Sequence, residues 1–141
     1  MAGTIDMKLM RYINLLSKVS GVRTTKCFLY NNQIVFAVPK NLVSKAIGKG
    51  AENVRKLKSI LGKRIKIVSI PSSNSREEIS RFVESIVEPV EFNMLNINNG
   101  VLTISANRQS KAALIGRNRV REKELFEILK NSFNIREFKI V

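Results

Sequence analysis

The stretch Ala46-Ile47-Gly48-Lys49-Gly50-Ala51-Glu52-Asn53-Val54-Arg55 has a partner later in the chain, Leu114-Ile115-Gly116-Arg117-Asn118-Arg119. In both, Ile-Gly is followed by a basic residue, and the two glycines stand 68 positions apart. Sliding the chain over itself by that offset aligns more than the glycines. Ile34 falls on Leu102, Phe36 on Ile104, and Lys40 on Arg108. Leu57, Ile60 and Leu61 fall on Leu125, Ile128 and Leu129. An apolar pattern that repeats along with the glycine marks a duplicated unit rather than a chance motif.

Each copy reads as the same series of elements. In the first, residues 6–19 carry Leu9, Ile13 and Leu16 at helical spacing. Residues 22–30 read as a strand, Asn31-Asn32 as a tight turn, and residues 33–38 as a second strand stopped by Pro39. A short helix over 42–47 precedes the glycine. A longer one over 51–61 has Val54, Leu57 and Ile60 on one face and Gly62 at its C-terminal end. Residues 64–70 form a third strand. The second copy starts after the linker Pro71-Ser72-Ser73-Asn74-Ser75, where Ser75 and Glu78 have capping-box spacing. A helix over 76–87 follows, then strands over 90–97 and 101–104 around the turn Asn98-Asn99-Gly100. Paired helices over 110–115 and 120–132 and a strand over 136–141 complete it. The class is α+β, and each copy runs helix, strand, strand, helix, helix, strand.

That order, with Ile-Gly at the junction of two helices, resembles a type II KH domain. The stretch from Ala46 to Arg55 resembles the first KH loop of the NusA family, and the stretch from Leu114 to Arg119 the second. The resemblance covers nearly the whole chain. It implies two tandem KH domains, 1–72 and 73–141, each a three-stranded sheet covered by helices. Bacterial members of the family add a polymerase-binding N-terminal domain and an S1 domain. Two KH copies use up the 141 residues, so the resemblance is to the short archaeal form. It implies a factor for transcription termination or elongation control that clamps nascent single-stranded RNA, with RNA polymerase as a further partner.

Charge agrees with a polyanionic partner. Lys and Arg number 25 against 11 acidic residues, a net +14, so phosphate contacts would draw the protein in and release counterions. The excess is uneven: residues 1–72 hold 14 basic and 2 acidic side chains, a net +12, and residues 73–141 hold 11 and 9, a net +2. In the second copy the acids gather on the early helix (Glu77, Glu78, Glu84, Glu88), while basic residues surround Gly116. There is no His to act as a near-neutral base, and the lone Cys27 cannot make a disulfide or a zinc site. It reads as a small buried apolar residue. No apolar run is long enough to cross a bilayer, and no signal segment is evident. These features point to a cytoplasmic, unprocessed chain, with no membrane, cofactor, metal or small-molecule substrate.

A KH module holds about four nucleotides, with its glycine loop against the backbone. Gly48 and Gly116 leave room for phosphate oxygens, and the following helix offers amide N–H groups and partial positive charge. Lys49 and Arg117 add a cation there. The RNA-binding set read from the first copy is Lys40, Lys45, Ile47, Gly48, Lys49, Gly50, Ala51 and Arg55. From the second it is Arg108, Lys111, Gly116, Arg117, Asn118, Arg119 and Arg121. Lys58, Lys63 and Arg64 read as general electrostatics, and Phe28, Phe36, Phe92 and Phe126 as core.

Both loops depart from the family's Gly-x-x-Gly, with Ala51 and Arg119 at the last position. Ala51 is cheap there if its φ is negative, at the start of the helix, whereas Arg119 either blocks close approach or contacts phosphate itself. Gly50 and Asn118 tolerate positive φ. Four other readings stand beside this one. The glycines could be ordinary turn residues. Gly48-Lys49-Gly50 could suggest a nucleotide-binding enzyme, but it lacks Gly-x-x-x-x-Gly-Lys-Ser/Thr spacing and the chain is not read as catalytic. A platform that binds RNA through the first copy and docks polymerase or a ribosomal component through the second is the main rival. Single-stranded DNA is also a possible ligand.

Overall fold

The computed structural model describes residues 7–141. The chain divides into two compact units, one ending at Ile70 and the other covering Pro71–Val141. Asp6, included in the first helix by its sequence pattern, lies outside the described residues.

The first unit is built from α1 (Met7–Ser20), β1 (Lys26–Tyr30), β2 (Gln33–Val38), α2 (Val43–Ile47), α3 (Glu52–Leu61) and β3 (Arg64–Ser69). The second repeats it with α4 (Arg76–Val87), β4 (Met94–Asn98), β5 (Val101–Ser105), α5 (Arg108–Ile115), α6 (Val120–Ser132) and β6 (Glu137–Ile140). Both sheets have the same topology. The first hairpin is antiparallel, and the last strand returns beside the middle one in parallel. This is the α+β architecture expected of two KH-like domains, with the helix pair carrying the glycine loop placed between the second and third strands.

Local chemistry sets the hairpins. Tyr30 pairs with Gln33 and Asn98 with Val101, which leaves two-residue turns at Asn31-Asn32 and Asn99-Gly100. All four turn residues have positive φ, between 50° and 79°. Asn and Gly tolerate that conformation, and its twist matches that of the flanking strands.

Side chains trim the strand ends. β1 starts at Lys26 rather than at residue 22, because Thr24 takes the place of a ladder residue. Its hydroxyl donates to the Ala37 carbonyl and accepts from the Lys26 amide. Val22 stays buried without being in the strand. Likewise β4 starts at Met94 rather than at residue 90, since the chain first turns at Val87–Val90 with a Val90 N–H to Val87 carbonyl bond of 2.9 Å.

The first core gathers Tyr12 and Leu16 of α1, Ile34, Phe36 and Val38 of β2, Ala46 of α2 and Leu57 of α3, with Cys27 buried among them. Their spacing explains the elements: period two along β2, helical period along α1. The second core takes Ile79, Phe82, Val83 and Ile86 from α4, Leu102 and Ile104 from β5, and Leu114, Leu125 and Leu129 from the paired helices. Phe82 and Phe133 meet edge to face, with centroids 5.7 Å apart.

Two details differ from the sequence reading. Ile60 is 50% exposed, although Val54 and Leu57 on the same helix turn inward. Of the four phenylalanines read as core, only Phe36 is fully buried; Phe28, Phe92 and Phe126 are half-buried, and the Lys130 ammonium sits 5.9 Å above the Phe126 ring.

Candidate nucleic-acid interface

The two glycine loops share one backbone conformation. Gly48 has φ 83° and ψ 164°, and Gly116 has 74° and 172°. Two residues later Gly50 (60°, 26°) matches Asn118 (57°, 25°). The next pair matches as well, Ala51 at 62° and 28° and Arg119 at 62° and 23°. Each loop is closed by the amide of its last residue donating to the glycine carbonyl, Ala51 to Gly48 at 3.0 Å and Arg119 to Gly116 at 3.2 Å. The condition on which Ala51 would be cheap therefore does not hold. Ala51 and Arg119 both occupy the left-handed region, which costs a residue with a Cβ roughly 1–2 kcal/mol. The helices begin one residue later, at Glu52 and Val120.

Gly48 and Gly116 are fixed by packing as well as by φ. A Cβ on Gly48 would lie 2.8 Å from the Asn53 amide nitrogen, and one on Gly116 would lie 2.6 Å from Arg121 Cγ. Asn53 and Arg121 occupy equivalent positions, each reaching back across its glycine from the first turn of the following helix. Asn53 Nδ2 donates to the Lys45 carbonyl at 3.1 Å and so ties α2 to α3.

Helix ends supply the electrostatics. The first amides of any α-helix lack intrahelical partners, and a side chain at the N-cap often accepts from them. Ser75 does this for α4, accepting from the Glu78 amide at 3.2 Å, and Asn107 does it for α5, accepting from the Ser110 amide at 2.8 Å. At α3 and α6 the N-cap residues are Ala51 and Arg119, and no side chain caps the helix. The Glu52 and Val120 amides donate to the Lys49 and Arg117 carbonyls, so what each helix offers an anion is the rest of its first turn, without a side-chain cap, and the positive end of its dipole.

The cations divide into groups. Lys49 and Arg117 are exposed within their loops. Arg55 folds back so that its guanidinium donates to the Gly50 carbonyl, which holds a positive charge on the first loop. In the second loop Arg119 pairs with Glu122 at 3.5 Å, and Arg121 with Glu124 at 3.0 Å. Lys45 points elsewhere: its ammonium lies 3.7 Å from where a Gly21 Cβ would be, near the C-terminal end of α1, an end that favours a cation. Lys40 and Arg108 are exposed near the starts of α2 and α5, about 12 Å by helical rise from the glycines. Lys111 is half-buried on α5, and Ile47 is half-buried beside Gly48. Geometry thus gathers Gly48, Lys49, Gly50, Ala51 and Arg55 in one loop and Gly116, Arg117, Asn118, Arg119 and Arg121 in the other, with Lys40, Lys45, Arg108 and Lys111 further off.

Asn53, Glu122 and Glu124 belong to the loops although the motif did not single them out. The repeat offset could have shown them, because it sets Asn53 against Arg121 and Lys56 against Glu124. Clefts of about 470 and 610 Å³ open elsewhere on the first unit, one along α1 beside Ile60 and one near Thr24 and Ile70; no loop residue lines either. Among the described residues no helix is long and apolar enough to cross a membrane.

No protein-family model matches the chain. It is 24% identical over 133 residues to the probable transcription termination protein NusA of Methanocaldococcus jannaschii, covering 92% of this chain and 70% of that protein. It is 27% identical over 108 residues to the protein of the same description from Methanococcus vannielii, covering 74% of this chain and 60% of that one. Among solved structures, the crystal structure of APE1850 matches with a TM-score of 0.66 at 25% identity, over 97% of this chain and 100% of that one. In sequence over most of its length, and in an α+β fold of two KH-like units, the chain is similar to the archaeal form of NusA.

Proposed function

We propose that the chain binds single-stranded RNA through its two glycine loops and acts, as a NusA-type factor, on nascent transcripts in termination or elongation control, with RNA polymerase as its protein partner. Residues 1–72 would be the first KH domain and 73–141 the second. The observation that carries this reading is the repeated, uncapped helix N-terminus, entered through the same positive-φ glycine turn and flanked by basic side chains. A phosphodiester oxygen against Gly48 would meet open amides, the helix dipole, Lys49 and Arg55 together. Arg117 would serve the second loop in the same way, and Lys40 and Arg108 would meet the strand where it runs on along the helix pair. Bases would then be held by the neighbouring half-buried apolar residues, among them Ile47 and Ile115. The names of the NusA relatives support the cellular role, and the net +14 supports a polyanionic ligand.

The direct test is a fluorescence titration with short single-stranded RNA, matched DNA and duplex RNA. Single-stranded RNA is expected to bind best. Lys49→Asp with Gly50→Asp, which sets two carboxylates against the phosphate path at exposed positions with open space around them, is expected to weaken binding at least tenfold while leaving the circular dichroism spectrum native. Wild-type affinity in that folded double variant would sink the assignment.

A further inference from the structure

Because the two loops have the same backbone, what separates them is the company their cations keep. In the second loop Arg119 is paired with Glu122, and Arg121 with Glu124. The latter pair is the tighter, both side chains being only 27% exposed, and its arginine packs behind Gly116. The repeat offset places Val54 and Lys56 at the positions of Glu122 and Glu124, so the first loop has an apolar residue and a cation where the second has two carboxylates. Its one nearby acid, Glu52, is exposed and forms no ion pair among the described residues. Arg55 is held by a carbonyl, which leaves its charge uncompensated.

We infer that Glu122 and Glu124 attenuate the second loop, making it a weaker phosphodiester site ranked below the first by its own carboxylates. This rests on the RNA-binding reading above. A phosphate arriving at Gly116 must compete with Glu122 for Arg119 and meets the field of both carboxylates within about one Debye length. At Gly48 it meets Lys49 and Arg55 without such a competitor. The chain therefore holds its RNA first at Gly48, and the second loop adds a contact that salt removes early.

The experiment uses the full chain and a fluorescein-labelled single-stranded RNA of mixed sequence, with anisotropy read at low salt. Lys49→Asp with Gly50→Asp isolates the second loop. Adding Glu122→Gln and Glu124→Gln to it is expected to tighten binding about three- to tenfold. Adding Arg117→Asp with Asn118→Asp, both exposed, is expected to remove that gain. Glu77→Gln with Glu84→Gln, two carboxylates on α4, serves as a charge-matched control and is expected to give less than half of it. In the unmodified first loop, Lys56→Glu is expected to weaken binding more than the charge-matched Lys58→Glu, which covers the case where the α6 variants fold poorly. No gain from the two carboxamides, or an equal gain from the α4 pair, overturns the attenuation while wild-type binding leaves the RNA reading standing. Failure of the wild-type chain to bind RNA overturns both.

Discussion

Ala51 and Arg119 each stand where the family pattern has glycine, and each holds the same left-handed backbone. The sequence change has not altered the turn; the side chain bears its cost. Replacing such a residue by glycine relieves the contact between Cβ and carbonyl that disfavours positive φ, against a smaller entropy loss from a freer unfolded chain. Ala51→Gly is therefore expected to stabilise the protein by about 1 kcal/mol, read as a raised midpoint at constant slope in urea unfolding. Arg119→Gly is expected to do the same, because the pair with Glu122 that it loses is screened by solvent at the arginine, whose side chain is 72% exposed. A fall in stability in both variants would show that the loop strain has been misjudged. Gly48 and Gly116 are a different case: their Cβ space is already filled by Asn53 and Arg121, so even alanine has no room.

Among the elements, the contrast between capped and uncapped helices separates structure from function. α5 has only eight residues and relies on Asn107, whose side chain accepts from the Ser110 amide. Asn107→Ala is expected to cost about 1 kcal/mol, measured by thermal unfolding, because no other group takes up that amide. If the loss were near zero, helix capping would not be what orders the segment leading to Gly116. Placing a capping side chain at α3 asks the opposite question, since an acceptor there would occupy the amides offered to phosphate. The hairpins are simpler elements. Two residues of positive φ in each turn fix the register, and register fixes which side chains of β2 and β5 reach the core.

Across the whole molecule, a net +14 on 141 residues makes salt the most informative variable. A contact of about four phosphates on single-stranded nucleic acid loses roughly fiftyfold in affinity between 50 and 200 mM salt. That steepness is expected for the full chain with single-stranded RNA, measured by anisotropy across a salt series. A flat response would mean that the loops do not carry binding through phosphate.

Residue order alone was enough for the duplication, the order of elements, the two-residue turn at Asn31-Asn32 and the glycine positions; the second turn, read as Asn98-Asn99-Gly100, is one residue shorter because Asn98 pairs with Val101. Each of these is local or periodic: a turn needs residues that accept positive φ, and a helix or strand shows its buried face as a repeat. It also marked basic residues around the loops, by their nearness to the glycines and, for Lys40 with Arg108 and Lys49 with Arg117, by the 68-residue offset. Packing in three dimensions was needed to show that Ala51 and Arg119 lie in the left-handed region, that Asn53 and Arg121 fill the space behind the glycines, and that Thr24 delays the start of β1. It also decided which cations are paired, since Arg119 and Arg121 meet their carboxylates across a helical turn whereas Lys45 turns toward the end of α1. Side-chain direction and the claims of neighbours on a single atom are properties of packing, and a linear pattern of residue types does not contain them.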